Sequence, residues 1–226
     1  MKTIILYGLR RSGNHFLIST ILQQFSNYVH INDTDLSYNK YIKYKNIEKN
    51  KETIDNKWTG FKDVECVVIS IENKILDSKE IDKFNGIDNC YLLMLLRCPY
   101  SHFSSVWKVY KKDERILLSI IELWKIYSKL FINNNNNGII NVLYDKYSTD
   151  ENYMINILQK LGFYNININT NKQIRYQTSS FKEEWDKKQT YRDIESCIYK
   201  DDKTFLKLIE DKEINNLWGI IRTITV

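Results

Sequence analysis

Short apolar segments alternate with longer amphipathic stretches along this chain, and that alternation limits the folds available to it. Five segments are rich in β-branched residues or leucine and are short, as is typical of buried strands. The stretches between them are long enough for helices, and strands joined through helices run parallel in one sheet. The pattern predicts an α/β fold with a parallel β-sheet flanked by helices. The predicted strands are Ile4–Tyr7, Tyr28–Ile31, Cys66–Ile71, Cys90–Leu96 and Gly138–Tyr144.

Apolar residues at helical spacing predict a helix from Asn14 and a long helix around residues 117–131. A further helix ends near Gly162, which suits a C-cap. Residues 34–57 are rich in Lys and Asn without a regular period, so we expect an exposed excursion there. The whole chain is predicted to be a single domain of residues 1–226, with a core of about 1–185 and a helical tail over 186–226.

The net charge of the chain is small, and lysines supply most of the positive charges. There are 33 Lys+Arg against 28 Asp+Glu, a net charge of +5, and only seven of the cations are arginines. Binding to nucleic acid irrespective of sequence needs clustered cations, so we expect no nucleic-acid partner. A hydrophobic content of 43% excludes global disorder.

Membrane and metal signals are weak throughout the sequence. No apolar run reaches the ~18 residues of a membrane span, and Ile4–Leu9 is shorter than a signal-peptide core of ~7–15 residues. We therefore expect a cytoplasmic protein with no membrane partner. The four cysteines are scattered without a C-x-x-C pair, which predicts free thiols and no zinc or other metal site.

The segment that joins the first strand to the first helix, residues 8–15 with the first two residues of that helix included, is called here the first loop. It reads Gly-Leu-Arg-Arg-Ser-Gly-Asn-His, so two glycines and two arginines stand directly before a helix N-terminus. Glycines let the backbone approach an anion, and helix N–H groups and arginines attract it. Gly8 and Gly13 have the Walker A spacing, but Asn14-His15 replaces the Lys-Ser/Thr that an ordinary ATPase or kinase needs. A tight turn that binds nothing is the plain alternative.

A second polar segment, residues 97–105, follows the fourth strand and is called here the Arg97 segment. Arg97 is followed by Pro99, and Ser105 lies eight residues past the arginine. Arg offers a forked donor to a phosphate and Ser a hydroxyl from the next helix. Tyr144 ends the fifth strand, before a helix that closes on Leu161-Gly162. Each of these features, taken alone, also has an explanation without function. Arg97 would then only cap the end of the sheet, and Tyr144 would belong to a common strand–helix junction.

Taken in order, these three segments resemble sulfotransferases that use 3′-phosphoadenosine-5′-phosphosulfate (PAPS), over roughly residues 1–185. The family's P-[KR]-S-G-T-T/S loop aligns on Ser12-Gly13, with Arg11 at the basic position and Asn14-His15 in place of the hydroxyl residues. Its Arg-x-Pro…Ser signature aligns on Arg97 and Ser105, with Cys98 replacing Asp. The Arg-Ser-Gly form looks closer to carbohydrate and tyrosyl-protein members than to the cytosolic phenol or steroid type.

The resemblance implies a P-loop NTPase-like sulfotransferase fold and a nucleotide site. The family's first loop holds the 5′-phosphosulfate, and its second signature holds the 3′-phosphate. Tyr144 would lie near the adenine, and Arg175 is the one candidate for a late contact to the 3′-phosphate, although the family's K-G-x-x-G form is missing. The residues so implied to bind PAPS are Arg10, Arg11, Ser12, Gly13, Asn14, His15, Arg97, Ser105, Tyr144 and Arg175.

Two residues are candidates for catalysis. Arg11 would stabilise charge on the leaving phosphate, because an arginine cannot donate a proton near neutral pH. Glu72, at the end of the third strand, resembles the strand-end glutamate of carbohydrate members and is the first candidate for the base. Asp63 and Glu65 are rivals, and His30 is a minor one.

The expected reaction moves a sulfuryl group from PAPS to a hydroxyl of a glycan, a small molecule or a peptide tyrosine, and releases 3′,5′-ADP. The acceptor site would be formed by residues 34–60, Trp107–Tyr110 and the C-terminal tail. None of these segments contains a recognisable motif, so the sequence does not identify the acceptor. Trp58, Trp107 and Trp185 would suit stacking on a ring, but aromatic side chains more often lie in the core. The alternatives are a P-loop nucleotide kinase-like enzyme and a non-catalytic protein of the same fold that binds PAPS or ADP.

Overall fold

The computed structural model describes residues 1–32, 47–49, 52–54, 63–77, 81–82, 84, 87–133, 138–166, 168 and 197–225. Strands and helices alternate through most of these residues. The strands are β1 (Lys2–Gly8), β2 (Tyr28–Ile31), β3 (Ile47–Lys49), β4 (Glu52–Ile54), β5 (Cys66–Glu72), β6 (Cys90–Leu96) and β7 (Ile139–Leu143). The helices are α1 (Asn14–Leu22), α2 (Pro99–Val109), α3 (Glu114–Asn133), α4 (Tyr144–Tyr147), α5 (Glu151–Lys160), α6 (Lys203–Ile209) and α7 (Lys212–Ile224).

The strands form one sheet in the order β4-β3-β2-β5-β1-β6-β7. The five strands from β2 to β7 in that order are all parallel, and they are the five that the sequence predicts. Strand β1 lies at the centre, with Gly8 opposite Glu72 of β5 on one side and Leu95 of β6 on the other. The prediction of an α/β fold with a parallel sheet flanked by helices is confirmed.

One edge of the sheet differs from the prediction. Strands β3 and β4 form an antiparallel pair, and β3 adds to β2 in the antiparallel sense. The sequence predicted an exposed excursion over residues 34–57 and no strand there, so these two strands were missed. Strands of three residues are too short to show a period of two, and pairing with β2 through the backbone leaves no signature in the side chains.

Hydrophobic side chains fill both faces of the sheet. Ile4 and Leu6 of β1 pack with α1 and α5 on one face, while Ile5 and Tyr7 pack with α2, α3, α6 and α7 on the other. Successive strand residues point to opposite faces, so a central strand covered on both sides must be apolar throughout. No helix in the described part of the chain is long and apolar enough to cross a membrane.

Several helices begin or end at residues that suit the unpaired N–H and carbonyl groups of a helix terminus. Asp150 caps α5 by accepting from the N–H of Tyr153 at 3.1 Å, and Pro99 occupies the first turn of α2, where its missing N–H costs nothing. At the end of α5, Gly162 takes a φ of 76° and its N–H donates to the carbonyl of Gln159 at 2.8 Å. The predicted C-cap at Gly162 is confirmed, since this is the left-handed turn that favours glycine.

The chain leaves neighbouring strands β1 and β6 toward opposite faces. Strand β1 continues into α1 on one face, and β6 continues into α2 and α3 on the other. The carboxyl ends of β1 and β6 therefore flank the point where the direction of the connections reverses. In open parallel sheets, ligands bind in the crevice at such a point. The first loop and the Arg97 segment both begin there.

Candidate functional site

The first loop ends at the N-terminus of α1, a helix that itself contains no acidic side chain. Gly13 precedes the helix with a φ of 101°, no side chain caps this end, and the first turn contains no acidic residue. The helix dipole and the first N–H groups of a helix favour an anion. This end of α1 keeps the electrostatic character that the sequence predicts for the first loop.

Gly13 is required at its position for two reasons. A φ of 101° is poorly accessible to other residues. A Cβ added there would also lie 2.2 Å from the ring of Tyr144, which begins α4 and is only 6% exposed. The tyrosine ring thus packs directly beneath the loop backbone. Its buried ring supports the first loop, and its expected place near an adenine stays a prediction.

Arg11 adopts a left-handed backbone conformation, with a φ of 68°. That conformation costs a non-glycine residue roughly 1–2 kcal/mol. Its carbonyl accepts from Nη1 of Arg97 at 3.0 Å, and its own Nε donates to Oγ of Ser105 at 3.3 Å. Three residues that the sequence assigns to phosphate binding, drawn from two separate segments, therefore meet in one place.

The charge around Arg11 favours a negatively charged ligand. Burial lowers the pKa of the Arg11 guanidinium, and the nearby positive charge of Arg97 lowers it further. Two like charges that are partly removed from water repel each other, and an anion placed between them would relieve that repulsion. The pair is therefore the strongest electrostatic indication of an anion site.

Arg97 is held from several directions. Its carbonyl accepts from Nε1 of Trp124 at 2.9 Å, and its guanidinium carbon lies 4.9 Å from the centre of the Tyr144 ring. The next N–H, of Cys98, donates to Oδ2 of Asp145 at 2.6 Å. The Nε atom of Arg97 is buried and has no hydrogen-bond partner in the described part of the chain. An arginine held this firmly, with a donor to spare, is suited to receive a further acceptor.

Ser12 and Asn14 point into the protein. Oγ of Ser12 lies 2.6 Å from the carbonyl of Leu9 and 3.0 Å from Oδ1 of Asn14, and both side chains are buried. A Cβ on Gly8 would come within 2.1 Å of that same Oδ1, so Gly8 makes room for Asn14. These side chains hold the loop in shape, and any contact to an anion from Ser12 comes through its backbone.

Glu72 lies beside the first loop, at the carboxyl end of β5. Its Oε1 accepts from Nδ2 of Asn14 at 2.9 Å, and its Oε2 pairs with Nε of Arg10 at 3.3 Å. The rivals Asp63 and Glu65 precede β5, and Glu65 accepts from the N–H of Ser26. Glu65 is seven residues before Glu72, so at ~3.3 Å per strand residue it lies about 23 Å away, at the amino-terminal end of β5.

The two histidines predicted near the site differ in their surroundings. His30 is completely buried at the end of β2, and its Nε2 lies 3.1 Å from Oγ of Ser70. His15, in the first turn of α1, stands edge-on to the His30 ring with 6.4 Å between ring centres. His30 therefore lies in a polar cluster inside the protein, one strand beyond Glu72.

Some assigned residues lie elsewhere or outside the described part of the chain. Arg175, Trp58 and Trp185 fall among the residues that the structure does not describe. Trp107 is 2% exposed and packs in the core, where aromatic side chains more often lie.

The four cysteines are free, which confirms the prediction of free thiols. Within the described ranges, no group of three His, Cys, Asp or Glu side chains could hold a metal ion.

Sequence reasoning missed several residues that shape the site. His102 contacts the carbonyl of Arg10 at 2.7 Å, and Asn73 accepts from the N–H of Arg10 at 2.9 Å. Asp145 and Trp124 hold the start of the Arg97 segment. None of these belongs to a recognisable motif, and their role follows only from strand order.

Comparison with protein-family models, with curated proteins and with solved structures finds no match for this chain.

Proposed function

We propose that this protein is a sulfotransferase that moves a sulfuryl group from PAPS to a hydroxyl-bearing acceptor and releases 3′,5′-ADP. The observation that carries the proposal is the contact between the first loop and the Arg97 segment, where Nη1 of Arg97 lies 3.0 Å from the carbonyl of Arg11. Two arginines that the family resemblance assigns to two different phosphates thus meet in one place. A nucleotide with phosphates at both its 5′ and 3′ positions suits such a pair.

In this proposal the positive groups act on the nucleotide. Arg11 stabilises the negative charge that develops on the leaving phosphate, together with the N–H groups at the start of α1. Arg97 and Ser105 bind the 3′-phosphate, because the guanidinium offers a forked donor and Ser105 a hydroxyl. The Nε of Arg97, buried without a partner among the described residues, is a donor available for that contact.

Glu72 takes the role of the base. The acceptor oxygen forms the new bond to sulfur, its proton passes to the Glu72 carboxylate, and the bond from sulfur to the nucleotide phosphate breaks. Glu72 belongs to the strand that pairs with β1, directly opposite Gly8, so its position relative to the first loop is set by the sheet. Its side chain is 14% exposed, which leaves a surface for an acceptor to approach.

The acceptor class and the location are part of the same proposal. A hydroxyl of a glycan, a small molecule or a peptide tyrosine fits a reaction that needs one base and no metal, and we propose that the protein works in the cytoplasm. Neither a nucleic acid nor a membrane is required by this chemistry.

Titration calorimetry with 3′,5′-ADP tests the proposal. We expect the wild-type protein to bind it, and Arg97→Ala to weaken binding by about 10- to 150-fold, which corresponds to about 1.5–3 kcal/mol for a hydrogen bond to a charged group. Arg115→Ala is the matched control, because Arg115 is exposed in the first turn of α3 and is not one of the residues implied to bind the nucleotide. Absence of binding by the wild-type protein would refute the nucleotide site.

Two further measurements separate the alternative functions. Labelled PAPS offered with pooled acceptors should give a labelled product if the protein is an enzyme. Binding of 3′,5′-ADP with no product from any acceptor would instead support a non-catalytic nucleotide-binding protein. Tight binding of magnesium-ATP in place of 3′,5′-ADP would favour the kinase-like alternative, although Asn14-His15 replaces the Walker A residues.

A further inference from the structure

Two consecutive carbonyl groups of the first loop receive hydrogen bonds from the segment that follows β6. The carbonyl of Arg10 lies 2.7 Å from Nε2 of His102, and the carbonyl of Arg11 lies 3.0 Å from Nη1 of Arg97. The two donors come from the same short stretch of chain, five residues apart. The first loop is thus held by the Arg97 segment at two successive peptide groups.

The chemistry of this contact determines the protonation of His102. A carbonyl oxygen can only accept a hydrogen bond, so Nε2 must carry the hydrogen. Burial, together with the positive charges of Arg97 and Arg11, lowers the pKa of His102 to about 3. The ring is therefore neutral, and its Nδ1 carries no hydrogen. That Nδ1 is buried and has no hydrogen-bond partner among the described residues, as suits an atom without a proton to donate.

The other side of the same loop residue is also held. The N–H of Arg10 donates to Oδ1 of Asn73 at 2.9 Å, and the N–H of Asn73 donates back to the carbonyl of Gly8 at 3.1 Å. Arg10 is thus fixed from the β5 side through its N–H and from the β6 side through its carbonyl. This matters for the next residue, because Arg11 occupies the left-handed region with a φ of 68°.

We propose that His102 is a positioning residue for the anion site, which sets the direction of the Arg10–Arg11 peptide through the hydrogen bond from its Nε2–H. A peptide group is planar and trans, so fixing the carbonyl of Arg10 directs the N–H of Arg11 to the opposite side. The same bond helps to keep Arg11 in a conformation that its backbone does not prefer. The Arg11 guanidinium then stays beside Ser105, at the crevice.

This inference has two parts with separate support. That His102 is neutral and holds the loop depends only on the geometry described above. That the hold increases affinity for a phosphorylated nucleotide rests on the proposed function. The experiments are therefore chosen so that the two parts fail separately.

The first experiment needs no ligand. Long-range ¹H–¹⁵N spectra of the imidazole rings report which nitrogen of each histidine carries hydrogen. We expect His102 of the wild-type protein to remain neutral, with hydrogen on Nε2, from pH 8 down to pH 5. Titration of His102 within that range, or a hydrogen on Nδ1, would overturn the proposal.

The second experiment compares two substitutions in hydrogen exchange and in binding. His102→Leu removes the donor, whereas His102→Gln offers an amide N–H at a similar distance from the backbone. We expect faster exchange of the amides of residues 10–13 in His102→Leu and near wild-type exchange in His102→Gln. For 3′,5′-ADP we expect Kd to rise about tenfold in His102→Leu, the size of one hydrogen bond, and to recover in His102→Gln.

The outcomes are distinct. If His102→Leu exchanges and binds like the wild-type protein, or if His102→Gln behaves like His102→Leu in both measurements, the positioning role is refuted. If the wild-type protein binds no 3′,5′-ADP, the proposed function fails, while the spectra and the exchange rates still decide whether His102 holds the loop. If His102→Leu does not fold, the spectra of the wild-type protein and the behaviour of His102→Gln carry the test.

Discussion

Substitution of Gly13 by alanine should destabilise the protein more than an ordinary glycine substitution would. The φ of 101° at this position is unfavourable for any residue with a Cβ, and the new Cβ would lie 2.2 Å from the Tyr144 ring. Strain in the left-handed region costs roughly 1–2 kcal/mol, and overpacking of a buried ring costs typically about 1–3 kcal/mol. The two costs add to about 2–5 kcal/mol of lost unfolding free energy.

Two other glycines separate these costs. Gly138 has a φ of 70° but open space where its Cβ would be, so Gly138→Ala should cost only the strain, roughly 1–2 kcal/mol. Gly219 lies exposed in the middle of α7, with nothing near its Cβ position. Gly219→Ala should therefore stabilise the protein by about 0.5–1 kcal/mol, because alanine is the better helix former.

The measurement is urea unfolding followed by circular dichroism, with the free energy extrapolated to water for each variant. The expected order of stability is Gly219→Ala, wild type, Gly138→Ala and then Gly13→Ala. Removing the ring in Tyr144→Ala should reduce the additional cost of Gly13→Ala, since the clash is then absent. If Gly13→Ala costs no more than Gly138→Ala, the tight contact between the first loop and the Tyr144 ring is refuted.

Three further predictions follow from the site and its surroundings. Glu72→Gln should lower turnover of PAPS by about 10²–10⁴-fold while leaving binding of 3′,5′-ADP nearly unchanged, because it removes the base and keeps the size of the side chain. Hydrogen bonds from Lys112 and from the N–H of Phe205 in α6 lower the pKa of Asp202 to about 2. The stability that this carboxylate contributes is therefore complete above pH 4 and is lost as the pH falls toward 2. Asp202→Asn should reduce the loss of unfolding free energy between pH 4 and pH 2. Of the four thiols, Cys90 alone is partly exposed, so Ellman's reagent should modify at most one thiol in the native protein and all four in urea.

Each of these predictions has a result that would contradict it. Full activity of Glu72→Gln would remove Glu72 from the mechanism. A wild-type stability that does not fall between pH 4 and pH 2 more than that of Asp202→Asn would show that the carboxylate contributes nothing there. Rapid native modification of Cys66, whose pKa burial raises to about 12, would show that β5 opens readily.

The central strands were predictable because each is buried on both faces. Strands β2 and β6 have the predicted bounds, and β5 differs from its prediction by a single residue at its end. Burial of both faces favours a run that is mostly apolar, which is visible in the sequence, although β2 also buries His30 and β5 buries Ser70. The pair β3 and β4 was not predictable, since its three-residue strands are recognised by their pairing to β2 and not by a side-chain pattern.

The site was predictable in part, and the limits have a physical cause. Two glycines and two arginines before a helix carry a local signal, so the first loop was singled out from the sequence. The sequence also placed Glu72 at the end of the third strand and made it the first candidate for the base, ahead of Asp63 and Glu65. That Glu72 lies directly opposite Gly8 of the first loop follows only from the pairing of β5 with β1. His102 carried no signal as a loop-positioning residue, since its hydrogen bond to the first loop is with a backbone carbonyl 92 residues away in the sequence.

The sequence by itself determined the alternation of strands and helices, the glycines of the first loop and the small number of arginines. These features are local, because periodicity, backbone conformation and side-chain chemistry belong to short segments. The tertiary structure decided that β6 lies next to β1, which brings Arg97 to the carbonyl of Arg11 across 86 residues of chain. Strand order depends on how distant apolar faces pack together, so the contact between the two arginines exists only in the folded protein.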